Sequence, residues 1–174
     1  MTRYDSIGHG YATVRKPDPR IASQINAALE DCRTIVNVGA GTADPIRKRT
    51  VIFTFDTSVG GFWLTDYFPE MIEIDAKAMP SISELRQHTG AIDVIDVPIP
   101  HDCIDGFWGA YWRRPEAYLQ AEVRNGISLF SNLVHLESGV EQLRADLESG
   151  AWRERYASVL EKHELDLGYR LLVA

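Results

Sequence analysis

The hydrophobic positions of the chain change their period several times, and each change marks a predicted element. Ile21, Ile25, Leu29 and Cys32 recur at intervals of four, four and three, the single apolar stripe of an amphipathic helix. Asp18-Pro19 stands just before it. Aspartate is a good N-cap, and proline suits the first helical position because its missing N–H costs nothing there. After Arg33 the pattern becomes "TIVNV", short and β-branched, and Gly39-Ala40-Gly41 follows it. This predicts a strand that ends in a loop whose backbone N–H groups can approach a ligand closely. Val51–Phe55, within "TVIFTFDTS", predicts a second strand.

Only the nine residues from Thr42 to Thr50 join these two strands, and they include Pro45 and the basic run Arg47-Lys48-Arg49. A parallel pair needs a crossover of about a dozen residues or more, usually helical. Three arrangements therefore stay open. The strands pair antiparallel through a loose hairpin, lie parallel after an extended crossover (nine residues span at most ~30 Å), or pair with a second copy of the chain.

Further along, "FWLTDYFPEMIEIDAKAMP" is aromatic and then helical, with Pro69 near the start of the helix. Ser81 and Glu84 form a capping box for a helix that Gly90 stops. "AIDVIDVPIP" predicts a strand closed by Pro98 and Pro100. Val123, Ile127, Phe130 and Val134 fall at helical spacing despite Gly126, and Ser138 with Glu141 forms a second capping box. "AWRERYASVLEKHE" predicts a helix and "LGYRLLVA" a last strand. Strands interleaved with helices mean an α/β domain, here with about four strands.

Composition narrows the partners. The chain has 174 residues, 45% of them hydrophobic, enough for one domain with a real core. We divide it into 1–58 (helix, glycine loop and second strand), 59–137 (a helical and aromatic region with one strand) and 138–174 (helices and last strand). A net charge of −7, with one basic run of three residues, argues against nucleic acid as a partner. Cys32 and Cys103 form no metal-type pair and suit a reduced, cytoplasmic protein. The N-terminus has no apolar signal region, and no apolar run approaches the ~20 residues a spanning helix needs, so no membrane partner is expected.

Candidate chemistry gathers past the third strand. His101, Asp102, Cys103 and Asp105 sit where α/β proteins place ligands, outside a strand's end. Trp63, Tyr67, Trp108, Tyr111 and Trp112 can form a flat apolar wall beside them. The plainer readings are that Trp108 and Trp112, four apart on a predicted helix, pack in the core, and that Asp102 and Asp105 are N-caps. No metal is expected, because these polar residues do not define a tetrahedral ligand set. Asp56, after a strand and before Thr57 and Ser58, suits the cap of a turn.

"YDSIGHGYATVRKPDPRIASQI", "VNVGAGT", "FWLTDYFPE", "VPIPHDCIDGFWGAYWRRPEAYL" and "YRLLVA" resemble, in order and spacing, a bacterial group of class I S-adenosylmethionine (SAM)-dependent methyltransferases. The resemblance implies a Rossmann-like α/β fold with a mainly parallel sheet. It also implies an internal shortening, with the first strand and glycine loop joined directly to a segment that resembles the family's fifth strand. Gly39, Ala40 and Gly41 would line the methionine side of SAM, and Asp56 is the available substitute for the family's ribose-binding acid. Tyr4, Tyr11 and Arg15 would join the aromatic wall and the His101–Asp105 segment around a small-molecule substrate.

Because the adenine side of that pocket has no counterpart, no cofactor is expected, although SAM stays possible. The leading functional expectation is a SAM-independent enzyme that uses carboxylates for a cyclisation, isomerisation or elimination. Asp66, beside Trp63 and Tyr67, and Asp102 are the candidates, since a carboxylate among aromatics has its pKa raised toward neutrality. The alternatives are a SAM-dependent methyltransferase that completes its site in a homodimer, and a non-catalytic relic that acts as a binding partner. The uncharged "TIVNV" edge favours a homodimer in either case.

Overall fold

The computed structural model describes residues 14–30, 32 and 49–174. Helix α1 (Pro19–Leu29) opens as its sequence predicts, with the Asp18 carboxylate accepting the Arg20 backbone N–H at 3.0 Å. Strand β1 (Val51–Phe55) follows, then the short helix α2 (Leu64–Tyr67), α3 (Glu70–Ala78) and α4 (Ile82–Thr89). Helix α4 carries the reciprocal Ser81–Glu84 capping box and ends at Gly90 in the left-handed conformation. Strands β2 (Asp93–Asp96) and β3 (Ile99–Pro100) are separated at Val97-Pro98. Helices α5 (Ala121–Asn125), α6 (Leu136–Ser149) and α7 (Ala151–Arg155) precede β4 (Glu164–Leu165) and β5 (Tyr169–Val173).

The main sheet has the order β1-β5-β2, and β3 pairs with β4 in a second, two-stranded sheet. Every pairing among the described residues is antiparallel, which corrects the expected mainly parallel sheet. The reason is local. Gly168, at φ 99°, turns the chain back, and its carbonyl accepts the Asp56 N–H at 2.7 Å. A Cβ at Gly168 would lie 2.8 Å from the Asp56 carbonyl oxygen, so only glycine fits this close approach. The chain then runs between β1 and β2 and opposes both. Of the three arrangements open for β1, its pairing with Ile35–Val38 lies outside the described residues.

Register sets the faces of this sheet. Val51, Phe53 and Phe55 stand opposite Val173, Leu171 and Tyr169. All six therefore share one face, because directly paired residues point the same way. Leu171 and Val173 on that face join Ile21 and Ala28 of α1, Val97, Ile99, Cys103 and Trp112 in one core cluster. Burying one such aliphatic side chain is worth roughly 1.5–3 kcal/mol. On the opposite face Arg170 is buried and held by Asp166 at 2.7 Å and Asp96 at 3.0 Å.

A second cluster gathers Trp63, Leu64, Phe68 and Met71 from α2 and α3 with Tyr118, Phe130, Val140, Leu143 and Trp152. Helix α6 approaches α2 through Gly139, where a Cβ would stand 2.4 Å from the Phe68 ring. Three helical expectations change in this region. Helix α6 begins at Leu136 with His135 as its cap, so Ser138 lies inside it and donates to the His135 carbonyl instead of capping. The 123–134 stretch is broken at Gly126 into α5 and a 3-10 turn (Ser128–Asn132), which buries Ile127 and Phe130 but leaves Val134 81% exposed. Trp108 and Trp112 lie in successive turns that Gly109, at φ 83°, interrupts. Among the described residues no helix is long and apolar enough to cross a membrane.

Candidate functional site

One hydroxyl collects most of the site's chemistry. Tyr169, at the start of β5, donates to the Trp108 carbonyl at 2.7 Å. Its ring stacks on Phe53 at 5.4 Å and meets Phe55 and Phe107 edge-on at 5.4 and 4.9 Å. The ring is only half-buried, yet desolvation drives the hydroxyl pKa well above its ordinary value. Tyr118, Asp75, Arg15 and Asp105 act on the same hydroxyl electrostatically, as smaller causes than desolvation.

Helix α3 supplies the acid. Met71 is fully buried, and its Sδ accepts the Trp108 indole N–H at 3.4 Å. Asp75 follows one helical turn later on the same face. Among the described residues no group hydrogen-bonds to its half-buried carboxylate or pairs with it, and desolvation alone pushes its pKa up to about 6. Asp75 is therefore the carboxylate with the property expected of a general acid or base.

Arg15 pairs bidentately with Asp105, its Nε and Nη2 reaching Oδ1 and Oδ2 at 2.5 and 3.4 Å. The loop that carries Asp105 is pinned from outside. The buried Asp18 carboxylate accepts the Ile104 N–H at 3.1 Å and two guanidinium hydrogen bonds from Arg20. Arg20 also donates to Asp102 at 2.6 Å. The Arg20 charge holds the carboxyls of Asp18 and Asp102 below the usual carboxylate range. Asp102 is thus an exposed, ionised partner of an arginine, the opposite of the raised acid expected there.

The other sequence candidates divide between interior and surface. Trp63 and Tyr67 lie in one core cluster, Trp112 and Cys103 in the other. The expected flat wall is therefore two buried layers, with Trp108 and Tyr111 left half-exposed between them. Three of these buried rings, Trp63, Trp112 and Tyr67, have polar partners. Trp63 donates to the Trp112 carbonyl at 2.6 Å, Trp112 to the Ile99 carbonyl at 2.9 Å, and Tyr67 to Asp146 at 2.6 Å. Cys103 is pushed up to about 11 by burial, so it is a thiol and not a thiolate. His101 faces the His163 ring at 6.0 Å. Among the described residues no group of three or more His, Cys, Asp or Glu side chains converges on a metal position. Asp66 accepts the Tyr156 hydroxyl at 2.6 Å at the edge of the helical cluster. Tyr4, Tyr11, Gly39, Ala40 and Gly41 lie outside the described residues.

Sequence reasoning missed Asp75, Tyr169, Phe53 and Phe55. The signal for Asp75 was its place four residues after Met71, an acid on the buried face of a helix. The signal for the other three was that alternate residues of facing strands share one side.

Asp56 caps the turn at Thr57–Val59, its Oδ1 accepting the Ser58 N–H at 3.0 Å and the Ser58 hydroxyl at 2.7 Å. That carboxylate is committed to its own turn. The described residues alone do not form a cradle for SAM.

No family model matches the chain, and no curated protein matches it. Among solved structures it is similar to a "Putative methyltransferase from antibiotic biosynthesis pathway" of Anabaena variabilis ATCC 29413. The two share 40% sequence identity and superpose with a TM-score of 0.66 over 72% of this chain and 54% of the other. The chain is methyltransferase-like over most of its length and spans about half the length of that protein.

Proposed function

We propose that the protein is a methyltransferase of small organic molecules that uses SAM as methyl donor. The observation that carries this reading is the 40% identity to the Anabaena protein over 72% of the chain. In this reading Ile35–Val38 lies beside β1 in a Rossmann-like sheet, and Gly39–Gly41 is the loop that meets the donor. The chain's own residues supply the acceptor side. Phe53, Trp108 and Tyr169 flank the substrate and exclude water, Arg15 and Asp105 fix the rim, and Asp75 takes a proton. The nine residues from Thr42 to Thr50 between the two predicted strands support an internally shortened catalytic domain, and the uncharged "TIVNV" edge supports a homodimer in which a second chain completes the site.

Calorimetric titration of the purified chain with SAM tests the reading. A saturable site of micromolar affinity is the expected result, and no heat up to millimolar SAM overturns it. A second reading, proton transfer without SAM, is favoured by one observation, the Asp75 carboxyl at about 6. It stands if SAM fails to bind while substitution of Asp75 abolishes turnover.

A further inference from the structure

We infer that His101 and His163 form a two-imidazole site for a divalent nickel, copper or zinc ion, which ties β3 to β4 when bound. The geometry comes from the ladder. Ile99 stands opposite Leu165 and Pro100 opposite Glu164. One step further His101 stands opposite His163, and its backbone N–H donates to the His163 carbonyl at 2.9 Å. Directly opposed residues of an antiparallel pair point to the same face. The two rings accordingly lie side by side, with centroids 6.0 Å apart and planes inclined at 53°. His101 is half-buried and His163 exposed, so the pair opens to solvent. Among the described residues neither ring makes a hydrogen bond or an ion pair.

Imidazole nitrogen is the donor that suits these ions, whereas magnesium and calcium take oxygen. A bound ion sits about 2.0–2.1 Å from one nitrogen of each ring. The broad second side-chain torsion of histidine lets both rings turn a nitrogen toward one point without moving the backbone. Each ring binds as the neutral base. Water completes the coordination, because no third side chain of His, Cys, Asp or Glu converges there among the described residues. Lys162 precedes His163, and Arg113 donates to the Lys162 carbonyl at 3.0 Å. These cations and the missing protein ligands hold the affinity in the micromolar range, far weaker than a closed four-ligand site. His101 and His163 are distant in sequence, so an ion held by both closes a long loop and stabilises the folded chain. The segment from His101 to Asp105 lacks a ligand set by itself because the second imidazole arrives from the β4 side of the ladder.

The test titrates the intact chain with nickel, copper(II) and magnesium chlorides in a calorimeter at pH 7.5. Nickel and copper are expected to fill a saturable site with micromolar Kd, and magnesium to give none. His101→Ala and His163→Ala are each expected to weaken nickel at least tenfold, whereas His88→Ala and His135→Ala leave it within twofold. The paramagnetic resonance spectrum of the copper form is expected to show coupling to two imidazole nitrogens in the parent and to one in either variant of the pair. Saturating nickel is expected to raise the Tm of the parent and not that of His101→Ala. No saturable nickel site, unchanged nickel affinity in His101→Ala or in His163→Ala, or an equal loss in His88→Ala or His135→Ala overturns the inference. Should one variant of the pair fail to fold by circular dichroism, the other and the parent's copper spectrum decide, and fewer than two coupled nitrogens in the parent overturns it.

Discussion

The indole N–H of Trp63 donates to the backbone carbonyl of Trp112 at 2.6 Å, and through it the helical core is fastened to the core beneath the sheet. Both residues are buried, so no water replaces the bond. Trp63→Phe leaves that carbonyl unpaired and a void beside Trp152. The expected loss is about 2–4 kcal/mol, read as a lower urea midpoint.

Asp75 and Asp18 have opposite pH signatures. The folded pKa of Asp75 is raised to about 6 from an ordinary 3.8. The folded state therefore keeps a proton that the unfolded chain has released, and stability falls as pH rises from about 4 to about 6. Asp75→Asn removes the penalty. The variant is expected to be more stable than the parent at pH 7 by an amount on the order of 1 kcal/mol, after discounting for solvent screening. The two should converge below pH 4.

The Asp18 carboxyl is depressed instead, by Arg20 first. Its contribution is complete above the ordinary carboxylate pKa and is lost as pH falls below it. Asp18→Ala is expected to cost about 0.5–2 kcal/mol at neutral pH from the helix cap alone. Thermal melts from pH 3 to 8 distinguish the two residues by the sign of the slope.

Gly139 and Gly90 separate space from conformation. A methyl group at Gly139 would meet the Phe68 ring and the Tyr67 carbonyl at 2.4 and 2.6 Å, and Gly139→Ala is expected to cost about 1–3 kcal/mol by forcing α6 away from α2. At Gly90 nothing lies within 4 Å, but φ is 71°. Gly90→Ala is therefore expected to cost only ~1 kcal/mol, from the left-handed backbone. Chemical denaturation of both variants checks the ranking.

The two thiols should differ in reactivity. Cys32 is exposed, whereas Cys103 is buried and its pKa is pushed up to about 11. At pH 8 a thiol reagent is expected to label one cysteine at once and the second only on unfolding. Rapid labelling of both, followed by peptide mapping, would contradict the burial of Cys103.

What the sequence made legible was local. Asp18-Pro19 and the Ser81–Glu84 box with Gly90 mark real helix ends, because a cap needs only residues within a few positions of it. Ser138 and Glu141 have the same spacing and are not a box, since packing against Phe68 starts α6 three residues earlier. Strand existence was legible at Val51–Phe55 and Tyr169–Val173. Strand direction was not, because β-branched patterning records burial and not the orientation of a neighbour. The candidate loop at His101–Asp105 was found, and Arg15 and Asp105 do come together. Asp102 misled because nothing near it in sequence announces Arg20 as its partner. Asp75 was passed over because desolvation is a property of the assembled fold.

The placing of Tyr169–Val173 between β1 and β2 has a kinetic consequence. Val173 pairs with both Val51 and Asp93, so neither β1 nor β2 has its described partner until Tyr169–Val173 arrives. Loop-closure entropy must be met before these pairings yield any stabilisation, and such high contact order slows folding. The helical cluster, whose contacts are nearer in sequence, is free to collapse first. Until then the edges of β1 and β2 that face β5 are open, so refolding yield should fall steeply as protein concentration rises.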